Sequence, residues 1–426
     1  MVYLNFGCDS MRKMFLSAIA NTAILINSYY FLLDARKASK HFSRKGEPGF
    51  VNTMQYTLNF NNRSQQLELD DYCDLVGGRY VSQQAYSSAR QQIKPEAFTQ
   101  IFGVTVAEAV ANPELATFKG YTPMAIDGST IALDNLPELK DYFGCCGARA
   151  NSCTARISIA CDTLNGIIYD ADIQPYSVGE RALALRHIER LKALGLHNPL
   201  YIFDRGYVSD DILATLENDN AKYIMRVRGR WHARLIESTQ SGDWASFRFK
   251  GKIYNVRIIK ILLGSGEQEI LFTNLSEFTA EEFGELYFLR WPVETTYDVV
   301  KNKLMLENFT GKTETAIKQD FWAVMALSNF AVFAKLEADE MIAEQDEGKN
   351  LSYKNQANTN ALIGKLKDKL ILMLLIDDPL ERAQIFDCIT RRIAHAFKVP
   401  IRPDRHVPRK PPRQKKRFNQ CTKNAL

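Results

Sequence analysis

The chain has 426 residues, of which 46% are hydrophobic and 24% charged. This composition excludes an intrinsically disordered protein and allows a sizeable core in two or three domains. The formal net charge is only +5, but the segment from Arg391 to Leu426 carries twelve Lys or Arg and one acid. The rest of the chain is therefore net negative, and the asymmetry predicts a basic tail that binds a polyanion.

Eight cysteines are present, without a CxxC pair or nearby histidines at zinc-ligand spacing. We expect reduced thiols in a cytoplasmic protein rather than a disulfide framework or a zinc site. The segment Met14–Leu33 is rich in apolar residues, but several Ser, Asn and Thr interrupt it. It is predicted to be a buried helix rather than a signal peptide or anchor. No other segment is predicted to approach a membrane span, so no membrane partner is expected.

The first 115 or so residues have helical patterns, and one segment has the features of a recognition helix. Residues 81–93 follow Gly77-Gly78 and precede Pro95, as in the second helix of a helix-turn-helix. Amide and guanidinium groups read base edges, and hydroxyl groups bind phosphates. The candidate DNA contacts are Gln83, Gln84, Ser87 and Arg90. An ordinary surface helix remains the alternative.

From Tyr121 onward the pattern becomes that of alternating strands and helices. Residues 124–133 are predicted to form a strand, a glycine turn at Gly128 and a returning strand. The dipeptide Asn165-Gly166 predicts a hairpin between two further strands, 154–161 and 167–173. A helix (180–194), a strand (200–203), a helix (210–217) and a strand (223–227) are expected to follow.

This order of elements matches a ribonuclease-H-like α/β fold, which places polar side chains at the carboxyl edge of its sheet. The predicted architecture has an all-α N-terminal DNA-binding region, the ribonuclease-H-like catalytic core with a β-rich insertion, a helical C-terminal region and the basic tail. The corresponding boundaries are 1–115 for the N-terminal region, 116–230 and 276–312 for the core, 231–275 for the insertion, 313–397 for the helical region and 398–426 for the tail.

The most specific signal is a set of four residues at fixed spacing, namely Tyr287, Arg290, Glu294 and Lys301. The spacing resembles the Tyr-Arg-Glu-Lys signature of insertion-sequence family four, bacterial transposases with an Asp-Asp-Glu triad. Asp127 in Ala-Ile-Asp-Gly-Ser-Thr and Asp204 in Ile-Phe-Asp-Arg-Gly-Tyr resemble the first and second acidic motifs of that family. The resemblance covers most of the chain.

The resemblance implies a cut-and-paste transposase that acts on terminal inverted repeats and transfers 3′-OH ends into target DNA. It assigns Asp127, Asp204 and Glu294 as catalytic residues and metal ligands. Such chemistry needs two Mg²⁺ ions, for which Mn²⁺ can substitute, to activate the attacking oxygen and stabilise the leaving oxygen. A homodimer on paired DNA ends, in the bacterial cytoplasm at the nucleoid, is the expected assembly.

Several basic and polar residues are predicted to bind DNA phosphates. Tyr287 and Arg290 offer a hydroxyl and a bidentate fork. Lys301 stands seven residues after Glu294, which in an α-helix places both on one side. Arg205 follows the second acid, and Arg226, Arg228 and Arg230 alternate along a predicted strand, so that all three would form one basic edge. A solvated strand face is the alternative for this edge.

Relatives place a Trp in the strand before the signature, where it stacks on a flipped base during hairpin formation. The corresponding segment, 269–275, has no Trp, which leaves Trp231, Trp244 and Phe272 as candidates. Two other functions also remain open. One is a domesticated descendant that binds DNA as a regulator without cutting it, and the other is a ribonuclease-H-like nuclease without transfer activity.

Overall fold

The computed structural model describes residues 10–44, 46–59, 63–147, 152–262 and 267–402. Helices occupy the N-terminal part of this chain. They are α1 (Ser10–Asn27), α2 (Tyr29–Ala35), α3 (Phe50–Thr57), α4 (Gln65–Val76), α5 (Gln83–Arg90) and α6 (Glu96–Val110). The apolar segment predicted as a buried helix forms α1 and α2. The two helices are separate because Ser28 caps α2, its side chain accepting a hydrogen bond from the backbone N–H of Phe31.

Strands and helices alternate through the middle of the chain. They are β1 (Thr122–Ala132), α7 (Pro137–Phe143), β2 (Cys145–Cys146), β3 (Ser152–Asp162), β4 (Ile168–Pro175), α8 (Glu180–Leu194), β5 (Pro199–Phe203), α9 (Asp210–Asn218), β6 (Lys222–Val227), α10 (Ala233–Ser238), β7 (Trp244–Phe249), β8 (Lys252–Leu262), β9 (Gln268–Thr273), α11 (Ala280–Phe288) and α12 (Pro292–Asp298). The helices and strands predicted for 154–227 correspond to β3 through β6.

The C-terminal part begins with a π-helical segment, Val299–Lys303. It continues with α13 (Glu314–Asp346), β10 (Asn355–Ala357), α14 (Thr359–Leu375), α15 (Pro379–Ala396) and β11 (Lys398–Pro400). Strands β10 and β11 pair with each other in antiparallel orientation. The first residues of the predicted basic tail therefore form β11, and the rest of that tail, from 403, lies outside the described residues.

The chain divides into two compact units. The sheet unit contains Leu115–Ile131 and Phe143–Tyr297, and the helical unit contains the described residues of 6–114, 132–142 and 298–426. The order of strands in the sheet unit is β2-β3-β1-β5-β6-β9-β8-β7, with β4 paired to β3. Strands β1, β5 and β6 are parallel, whereas β4 is antiparallel to β3. The succession β4-β3-β1-β5-β6 is consistent with a ribonuclease-H-like core.

Two features of this sheet differ from simple expectations. The segment predicted as a β-rich insertion extends the same sheet, because β9 pairs with β6 in antiparallel orientation and β8 and β7 follow. The predicted turn at Gly128 is wrong, since β1 is one continuous strand from Thr122 to Ala132.

The predicted hairpin at Asn165-Gly166 is confirmed. Gly166 has a φ of 74°, in the left-handed region that favours glycine.

One face of the sheet is covered by α11, whose start is fixed by a capping box. The Thr279 side chain accepts from the Glu282 backbone N–H, and the Glu282 side chain accepts from the Thr279 backbone N–H. A buried apolar cluster then joins this helix to strands β5, β6, β8 and β9. Its members include Leu200, Ile202, Ile224, Ile259, Leu271, Phe283 and Leu286. Burial of this cluster fixes α11 over the strands that lead to the carboxyl edge.

The long helix α13 corrects the expectation that no second segment approaches a membrane span. By length and composition it could cross a membrane, and α1 with α2, bent by 72° at their junction, passes the same test as a pair. However, 67% of the apolar window of α13 is buried inside the protein. That degree of burial is typical of a core helix.

Candidate active site

Asp127 on β1 and Asp204, which directly follows β5, are brought together by two neighbouring strands. Strands β1 and β5 are parallel, and their register pairs Ala125 with Ile202. Asp127 stands two residues after Ala125, within β1, whereas Asp204 stands two residues after Ile202 and directly beyond the end of β5. The two carboxyl groups lie within electrostatic range of each other. The sequence predicts each acid at a strand end, which is wrong for Asp127, because β1 continues to Ala132. It holds for Asp204, which directly follows β5, and the pairing of β1 with β5 brings the two acids near each other.

Asp204 is held by residues from two other elements. Leu200 and Ile202 face α11, so the alternation along β5 turns Asp204 toward the same helix. Tyr287 of α11 donates a hydrogen bond from Oη to Asp204 Oδ1 over 3.1 Å. On the neighbouring strand, Arg226 Nη1 lies 3.8 Å from the same oxygen, and its Nη2 forms a 2.8 Å ion pair with Glu269 Oε1.

Asp127 occupies a more enclosed position. Its backbone carbonyl accepts hydrogen bonds from Tyr297 Oη at 2.7 Å and from Ser158 Oγ at 3.1 Å, which fixes the strand at this residue. Burial raises the pKa of the Asp127 carboxyl to about 6, although the Gly128 backbone N–H and the charge of Arg290 act in the opposite direction. The negative charges of Glu180 and Asp204 add to the upward shift.

Arg290 and Glu294 connect the end of α11 to the start of α12. Pro292 begins α12, where its missing N–H costs no helix hydrogen bond, and Glu294 lies in the first turn. Arg290 Nη2 donates to Glu294 Oε1 over 3.2 Å, and the guanidinium also interacts with the charges of Asp204 and Asp127. The Arg290 side chain is only 11% exposed, so solvent screens its interaction with these three acids only weakly.

The donor chemistry of this edge fits a hard divalent cation. Mg²⁺ prefers oxygen ligands and is often bound by one or two carboxylates, with water and substrate oxygens completing its shell. Asp127 and Asp204 supply such a pair. Among the residues that the structure describes, no three His, Cys, Asp or Glu side chains are grouped closely enough to hold a metal ion. Glu294, which accepts from Arg290, is thus not part of a closed three-acid group.

Comparison with known proteins gives a match to the part of the chain that contains this edge. Residues 119–330 match the family model described as the transposase DDE domain. The chain carries the DDE domain of a DNA transposase. The matched range contains Asp127, Asp204 and Glu294, and enzymes with this domain use divalent metal ions.

This chain is similar in structure to a solved complex, the piggyBac transposase synaptic complex with hairpin DNA. The identity is 11%, the match covers 91% of this chain and 85% of that chain, and the TM-score is 0.44. No curated protein matches the chain.

The fourth residue of the transposase signature, Lys301, lies in the helical unit. Its segment, Val299–Lys303, is π-helical and follows directly on α12. The expectation that Glu294 and Lys301 share one side assumed an uninterrupted α-helix. The change of helix type at Val299 removes that basis, because a π-turn contains more residues than an α-turn.

The prediction that Arg226, Arg228 and Arg230 form one basic edge along a strand of the transposase is wrong. Strand β6 ends at Val227, so only Arg226 belongs to it, while Arg228 and Arg230 lie in the exposed turn that follows. Arg226 is committed to Asp204 and Glu269. Arg205 is exposed directly after Asp204 and remains a candidate phosphate contact.

The predicted recognition helix exists as α5, but one of its candidate contacts is corrected. Ser82 caps the helix, Gln84 is exposed, and Gln83 and Ser87 are partly exposed. Arg90, in contrast, is 1% exposed and donates to Gln319, to Thr310, to the Ala316 carbonyl and to Asp320. A guanidinium enclosed by four protein acceptors is not available to DNA.

The aromatic candidates for base stacking also differ in accessibility. Phe272 is completely buried on β9, and the Trp231 ring packs against it with centroids 5.3 Å apart. Trp244, at the start of β7, is 50% exposed. Burial therefore excludes Phe272 as a surface for an unpaired base.

Sequence reasoning missed two acidic residues of the site, Glu269 and Glu180. Glu269 lies on β9 and becomes relevant only because β9 pairs with β6 and brings it to Arg226. Glu180 begins α8 and contacts the position of Gly128, beside Asp127. Neither residue stands in a recognisable motif, and no local signal distinguishes them from other surface acids.

Proposed function

We propose that the enzyme is a cut-and-paste transposase of a bacterial insertion sequence. It binds terminal inverted repeats, cleaves phosphodiester bonds with two Mg²⁺ ions held by Asp127, Asp204 and Glu294, and transfers the 3′-OH ends into target DNA. The observation that supports it most directly is the parallel pairing of β1 and β5, which brings Asp127 on β1 and Asp204, directly after β5, within electrostatic range of each other. Mn²⁺ should substitute for Mg²⁺, since it also accepts carboxylate and water ligands.

The role of Arg290 follows from its position among the three acids. In the structure its guanidinium forms the ion pair with Glu294. A phosphate group offers the same fork a stronger bidentate acceptor. We infer that Arg290 moves to a DNA phosphate when an end binds, and that Glu294 is then released to complete the carboxylate set. Tyr287 keeps Asp204 in place during this exchange.

The proposal is tested by metal-dependent nicking of a duplex that contains a transposon end. Asp127→Ala, Asp204→Ala and Glu294→Ala should each abolish nicking and strand transfer while binding of the end persists, because phosphate contacts supply most of the affinity. Ca²⁺ should support binding with little chemistry, since its looser coordination positions the attacking oxygen poorly. Near-normal cleavage by one of these variants would refute the role of that residue.

A matched control is available for the arginine. Arg290→Ala should abolish nicking. It should also lower the slope of log K for end binding against log salt by about 0.9, the contribution of one phosphate contact. Arg248 is exposed on β7, the strand at the far end of the sheet order, and Arg248→Ala should change neither. Equal losses from both substitutions would show a general charge effect instead of a specific contact.

We also propose that two protomers act together, because one active site handles one end and transposition joins two ends. The competent species should contain two protomers and two ends, with α5 contributing Gln84 and Ser87 to end recognition. Mass measurement with and without a short end duplex tests the assembly. One protomer per duplex under conditions that support cleavage would favour a nuclease that lacks transfer activity.

A further inference from the structure

Gly128, the residue after Asp127, marks a close approach of two side chains from other elements. A Cβ atom built on Gly128 would lie 2.8 Å from Glu180 Cγ and 3.2 Å from Tyr207 Oη. Real Cβ atoms do not approach other atoms as closely as 2.8 Å, so a larger residue here would displace Glu180. Because Gly128 continues β1 without a turn, this close approach, rather than backbone conformation, accounts for the glycine.

The Glu180 carboxylate is fixed in position but remains accessible. Arg156 on β3 donates from Nη1 to Glu180 Oε1 over 2.5 Å, and the guanidinium lies over the Tyr176 ring, 5.0 Å from its centroid. The Arg156 side chain is largely buried, whereas that of Glu180 is 39% exposed. A carboxylate held in this way can still coordinate a ligand that enters from solvent.

Tyr207 supplies a second and independent indication of a ligand. The residue is 2% exposed, and its hydroxyl has no hydrogen-bond partner among the described residues. Buried hydroxyl groups in proteins normally have a partner, either another protein group or an ordered water. The hydroxyl and the Glu180 carboxyl carbon lie at equal distances, 3.2 Å, from the same point beside Gly128. Both groups therefore approach Gly128 from different elements, and a water or ion placed within hydrogen-bonding reach of the Tyr207 hydroxyl would complete its hydrogen bonding.

We propose that Glu180 is a further carboxylate of the divalent-cation site, acting on the same cation as Asp127, either directly or through one cation-bound water that donates hydrogen bonds to Glu180 and to Tyr207 Oη. Glu180 and Asp127 carry like charges within electrostatic range of each other, and a cation between them relieves this repulsion. Two carboxylates with several retained waters form a usual Mg²⁺ shell. The inference rests on the proposed function, because it assigns a new ligand to the same site.

Direct measurement of Mn²⁺ binding to the full-length protein tests this role without relying on catalysis. Free Mn²⁺ is followed by its electron paramagnetic resonance signal during titration. Glu180→Gln should raise the Mn²⁺ Kd about tenfold, the range found when residues that support a metal site are changed. Gly128→Ala should act in the same direction by displacing Glu180, and Tyr207→Phe should have a smaller effect.

Glu189 provides the matched control, since it is an exposed carboxylate on the same helix as Glu180. Glu189→Gln should leave Mn²⁺ binding unchanged. If Glu180→Gln melts at a lower temperature, Glu180→Asp keeps the charge while withdrawing the carboxylate, and should still weaken Mn²⁺ binding. Unchanged Mn²⁺ binding by both Glu180 variants, with loss of binding in Asp127→Ala, would overturn the role of Glu180. Unchanged binding in Asp127→Ala would instead overturn the proposed site itself.

Discussion

Tyr287 Oη donates a 3.1 Å hydrogen bond to Asp204 Oδ1, which links helix α11 to the end of strand β5. The spacing of the signature predicts that Tyr287 contacts DNA, and in the structure its hydroxyl contacts Asp204, one of the proposed catalytic acids. Burial, followed by the charge of Asp204, raises the pKa of Tyr287, so the hydroxyl stays protonated as a donor. The Tyr287 hydroxyl therefore fixes the position of the Asp204 carboxylate.

Removal of this hydroxyl should affect chemistry more than binding. Tyr287→Phe keeps the ring in the apolar cluster but leaves Asp204 without its donor, so we expect nicking to fall by about tenfold to a hundredfold. End affinity, measured by fluorescence anisotropy, should change little. Tyr201→Phe, in a buried tyrosine earlier on β5, is the control and should nick normally. A large loss of affinity in Tyr287→Phe would assign the hydroxyl to a phosphate contact.

The raised pKa of Asp127 predicts a specific dependence of stability on pH. Because the folded pKa of about 6 exceeds the ordinary value of 3.8, the folded state binds this proton more tightly than the unfolded state. The resulting stabilisation is complete below pH 3.8 and is lost as the pH rises to about 6. Above that pH, the charged carboxylate destabilises the metal-free protein by up to about 3 kcal/mol.

Asp127→Asn should consequently raise the free energy of unfolding at pH 8 and have little effect near pH 4. Urea unfolding at the two pH values in the presence of a chelator measures the difference. Equal effects of the substitution at both pH values would show that the carboxyl is not buried as described.

Arg90 is predicted to contact DNA because of its position in α5. Its buried ion pair with Asp320 predicts a structural role instead. Arg90 Nη2 lies 2.8 Å from Asp320 Oδ1, and both side chains are nearly inaccessible. Arg90→Ala would leave Asp320 buried without its cation, which typically costs about 3–5 kcal/mol. Thermal or urea unfolding should show this loss, whereas Arg79→Ala, at an exposed position before α5, should not. Normal stability with altered end specificity would restore the DNA-reading role.

The basic tail predicts a salt-dependent contribution to DNA binding. Residues 403–426 contain eight Lys or Arg, while Lys398 belongs to β11 and forms a 2.7 Å ion pair with Asp346. Deletion of 403–426 therefore removes charge without disturbing β11. For every DNA phosphate that the shortened protein no longer neutralises, the slope of log K against log salt should fall by about 0.9. An unchanged slope would mean that the tail serves another partner.

The strongly periodic elements could be predicted from the sequence because their signals are local. Helix α8 has its predicted bounds, and β5 and β6 agree with theirs to within one residue. The hairpin at Asn165-Gly166 and the capping box at Thr279 each depend on a few adjacent residues. The Tyr-Arg-Glu-Lys spacing is equally local, and it predicts both Glu294 as the third acid and the class of enzyme, of which the class is confirmed.

Contacts between residues far apart in sequence are decided by the tertiary structure. Gly128 by itself suggests a turn, but the approach of Glu180 and Tyr207 shows that it is needed for space within a continuous strand. Arg90 is of a residue type suited to DNA, yet it is buried against Asp320, 230 residues later. A local sequence pattern shows which side chains a segment contains. Burial and the pairing of distant strands decide which residue each charged side chain contacts. For this reason the sequence alone determined which acids are proposed for the active site, and only the fold decided which neighbours hold them.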